Sequence, residues 1–270
     1  VSVIMLRMAL TIPEAIGNEV FITYIGLGLS VETPSLGNLI EAGRELMTIP
    51  FLRYQLYFPV AVLALITISF YVIGNAFADA AQAVLLKKNG AAPANRLKAA
   101  AYAGNMAVAA ANEGFPSPFL PGTVGVLALF AEHKLHYAYI GDSNGILISN
   151  GTLSYFTTPQ TAEVHRRRKE FTSDEIRAVI CNNPSHPCGY GVWNGMPSAA
   201  EFLRVGELPL SAGDRVLLCT DGIDPFLASL SDAALAAMDA DTLISQAMAY
   251  MMPEGYMDDR TAIVINILDV

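Results

Sequence analysis

The sequence predicts two transmembrane α-helices followed by an α+β layered domain. Long apolar stretches are confined to the first eighty residues, short strands with turn dipeptides follow residue 120, and three aspartate-bearing turns sit at strand ends. A length of 270 residues accommodates one large domain or two smaller ones. The composition shift divides the chain into a membrane segment, 1–80, and a globular part, 81–270.

The second apolar stretch, "FLRYQLYFPVAVLALITISFYVIGNAF" (51–77), belongs to an uncharged run from Tyr54 to Ala78. A helix of roughly 20 residues crosses a bilayer core, and this run exceeds that. Pro59 is tolerable near its start, because neighbouring helices can satisfy the freed carbonyl. The first stretch, "VSVIMLRMALTIPEAIGNEVFITYIGLGL" (1–29), carries Arg7, Glu14 and Glu19, so it is expected to span only within a larger bundle that faces them inward. Between the two, 30–50 reads as an external loop with a short helix after Pro34. Lys87, Lys88, Arg96 and Lys98 flank the second span, which by the positive-inside rule places the protein in the cell membrane with its C-terminal domain in the cytoplasm.

Three cysteines (Cys181, Cys188, Cys219) are too few and too odd in number for a disulfide framework, which agrees with a reducing compartment. The chain begins at Val1 without the basic start of a signal peptide, and reads as one entered in the middle. The mean hydropathy of +0.41 reflects the uneven placement of apolar residues. A net charge of −9 argues against nucleic acid as a partner, which needs a basic face to displace counterions.

In the globular part, an Ala-rich helix is expected from about Pro93 to Ala111, with Gly114 beyond its end. Strands are expected over 122–132, 134–151, 214–222 and 260–268, with Asn144-Gly145 and Asn150-Gly151 as turn dipeptides. The stretch 231–252 reads as one or two helices with Ser231 and Asp241 as candidate N-caps. Antiparallel strands segregated from helices give the α+β layering.

Three turns carry candidate chemistry. "YIGDSNGIL" puts Asp142 at a tip between apolar strands, "VLLCTDGIDPF" puts Asp221 where a strand ends, and "YMDDRTAIVI" puts Asp258 and Asp259 before the last strand. Taken singly, aspartates are common turn and cap residues. Together, carboxylates converging on one sheet edge suit a hard cation such as Mg²⁺ or Mn²⁺. Two such ions can activate a water and clamp a phosphoryl group.

Other patterns are blander. "CNNPSHPC" (181–188) offers Cys181, His186 and Cys188 at close spacing, a zinc-like pattern that lacks a second ligand pair and reads as a loop. "HRRRKEF" (165–171) is a basic run, read as a solvated face with phosphopeptide docking as the alternative. Cys219 reads as an inert core thiol and Trp193 as packing.

Residues 1–80 resemble the last two transmembrane helices of an oligopeptide- or dipeptide-type ABC transporter permease, through "GLGL…TPSLGNLI" and "GNAFADA". From about residue 83 onward, the chain resembles the PPM-type (protein phosphatase type-2C) metal-dependent serine/threonine phosphatases. The resemblance rests on "GTVGVLAL…LHYAYIGDSNGILI", "GDRVLLCTDGIDPFL" and "DDRTAIVI", in that order. It implies a partial antiparallel β-sandwich flanked by helices, a binuclear Mn²⁺ or Mg²⁺ site, and a phosphoserine or phosphothreonine protein as substrate. Asp221 and Asp258 would be metal ligands, and Asp142 would serve an accessory metal with Asp221; Asp259 receives no ligand role. The family's opening "D-G-x-G-G" turn is not found upstream of Thr123, so a truncated and impaired phosphatase joined to a permease tail is expected. Two other readings stay open. One is a permease fragment partnered by membrane and ATPase subunits of a peptide transporter, and the other is a noncatalytic phosphoprotein-binding module.

Overall fold

The computed structural model describes residues 35–87, 90–115, 120–252 and 260–269. Its described residues divide at Val72/Ile73 into two compact units. In the earlier unit, helix α1 (Leu36–Glu45) starts where Ser35 accepts a hydrogen bond from the Asn38 amide at 3.0 Å, an N-cap that satisfies one orphan donor. Helix α2 (Tyr54–Leu86) begins close against α1. A Cβ on Gly43 would lie 2.6 Å from the Gln55 carbonyl oxygen, so only glycine permits this approach.

Among its described residues, the later unit has seven antiparallel strands: β1 (Gly125–Ala131), β2 (Lys134–Ile140), β3 (Asn144–Ser149), β4 (Thr152–Tyr155), β5 (Arg204–Pro209), β6 (Arg215–Cys219) and β7 (Ala262–Asn266). They form a three-stranded sheet in the order β1-β2-β5 and a four-stranded sheet in the order β4-β3-β6-β7. Strand periodicity sorts the side chains into layers. From β1, Val126 and Ala128 face the other sheet and meet Val216 and Leu218 of β6. Leu127 and Leu129 face the opposite way, onto the end of α2 and onto helix α3 (Pro93–Ala111). Helix α4 (Ala162–Arg166) follows β4 in the chain. From β6, Leu217 and Cys219 turn outward onto helices α5 (Asp224–Ala228), α6 (Asp232–Ala237) and α7 (Ala240–Ala249). The order of layers is helix, sheet, sheet, helix. Strands buried on both faces explain the nearly continuous apolar runs "GVLALFA" and "RVLLC".

The α+β layering and antiparallel sheets agree with expectation, but the two transmembrane helices do not. Among the described residues, no helix is long and apolar enough to cross a membrane. The end of the uncharged run and the helical turns after it are occupied differently: Ile73 and Phe77, then Ala81 and Leu85 of α2, are buried in a protein core with α3 and β1. Phe77 stacks on Trp193 with ring centroids 4.2 Å apart, and Gly104 of α3 leaves room for the Phe77 ring. The apolarity read as lipid-facing is protein-facing there. The expected cell-membrane localisation rested on the two spans and loses that support. The first stretch, 1–29, lies outside the described residues.

Turn chemistry was read correctly at one dipeptide and not at the other. Asn150 and Gly151 have φ of 48° and 78° and close the β3–β4 hairpin. Asn144 and Gly145 instead begin β3 and pair with Cys219 and Leu218. The span 134–151 is thus not one hairpin. β2 and β3 belong to different sheets, and the chain crosses between them at Gly141–Ser143. Gly141 has φ +88°, and a Cβ there would meet Val124 at 2.4 Å. The helix spans Pro93–Ala111 as expected, and Ser231 caps α6; α7 is capped by Asp239, not Asp241, which falls in its first turn.

Gly141→Ala is expected to destabilise the later unit by roughly 1–3 kcal/mol, read as a lower denaturant midpoint. Phe77→Ala is expected to cost about 3–5 kcal/mol by the same measurement. A near-zero change at Phe77 would contradict its packing in a protein core.

Candidate functional site

Strand register determines which turns share an edge. Asn144 at the start of β3 pairs with Cys219 at the end of β6, and Cys219 pairs with Ala262 at the start of β7. Asp142 lies two residues before Asn144 and Asp221 two residues after Cys219. Both therefore stand at the same edge of the four-stranded sheet. Beyond the paired strands, the Thr220 amide donates to the Thr261 carbonyl and the Thr261 amide to Thr220 Oγ1, both at 3.0 Å, carrying the β6–β7 ladder to that edge. Arg260 donates to the carbonyls of Ala247 and Tyr250 at the end of α7, where a cation also suits the helix dipole. Asp258 and Asp259 lie outside the described residues.

The Asp142 turn is held from several sides. Gln160 Oε1 accepts from the amides of Gly141 at 3.1 Å and Gly191 at 3.3 Å, while its Nε2 donates to the Phe202 carbonyl at 2.7 Å. The Gln160 amide donates back to the Gly141 carbonyl. The buried Thr161 hydroxyl donates to Asp142 Oδ2 at 3.0 Å. On the strand side, Thr157 Oγ1 accepts from the Gly145 amide and donates to the Ser143 carbonyl. Asp221 opens a single 3₁₀ turn, Asp221–Ile223, that leads into α5. Asn144 Nδ2 donates to Asp224 Oδ1 at 2.6 Å and ties the two acidic turns together. Burial, reinforced by the charges of Asp224 and Asp221, pushes the Cys219 thiol far above its ordinary range, consistent with an inert core thiol.

A cavity of about 250 Å³ opens beside Asp142, lined also by Thr161, Val164, His165, Arg168, Ile176 and Tyr190. The zinc-like string packs behind the wall of this cavity, Cys188 against Val164, Ile176 and Tyr190, and is not arranged as a site. His186 Nδ1 accepts from the Cys188 amide at 3.1 Å, and burial raises the Cys181 thiol to about 11. Among the described residues, no group of three His, Cys, Asp or Glu side chains could hold a metal ion. At the sheet edge Asp142 and Asp221 supply hard oxygen donors of the right chemistry, with the Asp224 carboxylate nearby bonded to Asn144, and among the described residues these form no three-ligand cluster.

Asn144, Asp224, Gln160 and Thr161 were missed in the sequence. The first two had a signal, lying within three residues of Asp142 and Asp221. Gln160 and Thr161 follow Asp142 by 18 and 19 residues with no local pattern.

Comparison with known proteins places this geometry in context. No family model matches the chain. The serine/threonine protein phosphatase PstP of Mycobacterium tuberculosis is 29% identical over 175 residues, 64% of this chain and 33% of the relative. The chain thus spans about one third of that curated relative's length. The crystal structure of PstP/Ppp from the same organism has a TM-score of 0.55 at 27% identity, covering 75% of this chain and 83% of that one. PppA of Pseudomonas aeruginosa, described as a key regulatory component of T6SS, has a TM-score of 0.51 at 16% identity over 73% of this chain and 79% of its own, a likeness of fold alone. A short match reaches the oligopeptide transport system permease protein AmiD of Streptococcus pneumoniae, 38% identical over 80 residues, 30% of this chain and 25% of the permease. The chain accordingly has a PPM-phosphatase-like α+β fold, while its likeness to permeases is short and partial.

Gln160→Leu is expected to lower stability by about 1–3 kcal/mol, because it leaves the Gly141 and Gly191 amides unsatisfied, and calorimetric melting checks this. Cys181 gives a pH prediction. Its thiol ionises near 9.0 ordinarily and near 11 in the fold, so the fold retains a proton that the unfolded chain releases. Stability contributed below pH 9 should therefore decline between pH 9 and 11, and a Cys181→Ser variant should show a shallower decline in denaturant titrations over that window.

Proposed function

We propose that the unit from Ile73 onward is a metal-dependent protein serine/threonine phosphatase-like module of the PPM type, acting on a phosphoserine or phosphothreonine protein. The observation that carries this reading is the register that sets Asp142 and Asp221 at one sheet edge, within a fold similar to that of PstP/Ppp. In this reading Asp142, Asp221 and Asp258 hold Mn²⁺ or Mg²⁺. When bound, the ion would polarise a phosphoryl oxygen and acidify a water. The chain's own contribution is positional. Thr161 orients the Asp142 carboxylate through Oδ2, the bond between Asn144 and Asp224 fixes the two turns relative to each other, and Gln160 holds the backbone beneath them.

Turnover by this chain is expected to be slow, because the sequence upstream of Thr123 offers no "D-G-x-G-G" turn to complete the ligand set. The permease-like stretch is read as a separate piece joined ahead of the module, a reading supported by the 38% identity over 80 residues. A second reading is a noncatalytic phosphoprotein-binding module, kept because the sequence upstream of Thr123 has no "D-G-x-G-G" turn.

The discriminating experiment follows hydrolysis of p-nitrophenyl phosphate and of a phosphothreonine peptide by the whole chain, with and without Mn²⁺. The expected result is a slow Mn²⁺-dependent rate that falls about 10–100-fold in Asp221→Asn. Peptide affinity with no Mn²⁺-dependent rate, unchanged in Asp221→Asn, would favour the binding module.

A further inference from the structure

The basic run "HRRRKEF" is divided by its ion pairing. Arg166 makes a two-point contact with Glu163, through Nε to Oε2 at 3.1 Å and Nη2 to Oε1 at 2.6 Å. Arg167 donates to Glu170 through both Nε and Nη2, reaches Cys188 Sγ at 3.5 Å, and lies over the Phe171 ring. Both arginines are therefore consumed locally. The Arg168 side chain has no ion pair or hydrogen bond among the described residues, and it lines the cavity beside Asp142. His165 and the Tyr190 hydroxyl-bearing ring line the same cavity, with Val164 and Ile176 as its apolar walls. The Tyr190 hydroxyl is engaged with Cys181, so the chemistry on offer is a guanidinium and an imidazole on largely apolar surface, next to the edge assigned above to phosphoryl chemistry.

We infer that Arg168, with His165, forms a second anion subsite that takes a phosphoryl or carboxylate group flanking the phosphorylated residue of a peptide substrate, with the Tyr190 ring as part of its wall. Resting on the phosphatase-like reading, it adds a preference for acidic or multiply phosphorylated segments. Arg168 suits this role because a guanidinium presents a planar fork of donors to an oxyanion. A cavity of about 250 Å³ admits a single anionic side-chain terminus rather than a folded partner. Asp142 on the same wall disfavours a bare anion close to itself, so the anion is expected on the Arg168 side.

The test uses calorimetric titration of the whole chain with three probes: a singly phosphorylated neutral peptide, the same peptide with an added phosphoserine or glutamate, and inorganic phosphate. The wild type should prefer the second peptide over the first, and Arg168→Ala should remove about fivefold of that preference, the scale of an exposed charged contact. Arg166→Ala, whose partner is Glu163, should leave the preference unchanged. Equal loss in Arg166→Ala and Arg168→Ala would reduce the effect to general charge and overturn the subsite, as would an unchanged preference in Arg168→Ala. Arg168-dependent binding of inorganic phosphate without discrimination between peptides would also overturn it, by identifying the free ion as the ligand. Failure of the phosphatase reading is seen separately: loss of the Mn²⁺-dependent rate with the Arg168-dependent preference intact would sink that reading and leave the subsite standing.

Discussion

Among the described residues the chain passes between its two sheets three times, from β2 to β3, β4 to β5 and β5 to β6, and the later unit depends most on the first of these, at Gly141–Ser143. β2 ends in one sheet and β3 begins in the other, so this short connection sets how the sheets stack. It also carries Asp142. A positive φ at Gly141, close contact with Val124, and the Gln160 amide bonds fix the turn. The inter-sheet core supplies the remaining constraint, since Val126 and Ala128 on one side must meet Val216 and Leu218 on the other. Burying such side chains contributes roughly 1.5–3 kcal/mol each for the larger ones, and a one-residue slip would turn them to the wrong layer. The candidate site is therefore built into the same register that forms the core.

The helix layer shows the same economy of construction. Buried Asn105 and Asn112 join α3 to the segment around Trp193, Asn105 Nδ2 donating to the Met196 carbonyl and Asn112 Nδ2 to the Pro121 and Asn194 carbonyls. Buried Asn182 and Asn194 brace that segment by bonding to each other. Paired buried amides stabilise modestly but specify strongly, because any misfit leaves a polar group without a partner. Trp193 occupies this junction and stacks on Phe77, so the end of α2 belongs to the globular unit as much as α3 does.

Much of this was legible in the sequence, and the failures have identifiable causes. The apolar runs of β1 and β6, the Asn150-Gly151 turn and the Pro93–Ala111 helix follow from periodicity and turn chemistry. The aspartates were visible because Asp142 and Asp221 each follow an apolar run and Asp258 and Asp259 precede one. Hydropathy misled at α2 because an apolar helix face looks alike whether lipid or a sheet covers it. Only tertiary contacts such as those of Phe77 and Leu85 distinguish the two. β5 was missed because "RVGELP" carries exposed charges at the edge of its sheet and lacks the apolar density of the central strands. Gln160 and Thr161 act across long sequence separation, so no window around Asp142 could contain them.

The central claim is that Asp142 and Asp221 act on one ligand across a shared edge. A double-mutant cycle on Mn²⁺ affinity, measured calorimetrically with Asp142→Asn, Asp221→Asn and the double variant, tests it most directly. The predicted result is a coupling of about 1 kcal/mol or more between the two positions. Additive effects, or wild-type affinity in both single variants, would contradict a common site at this edge.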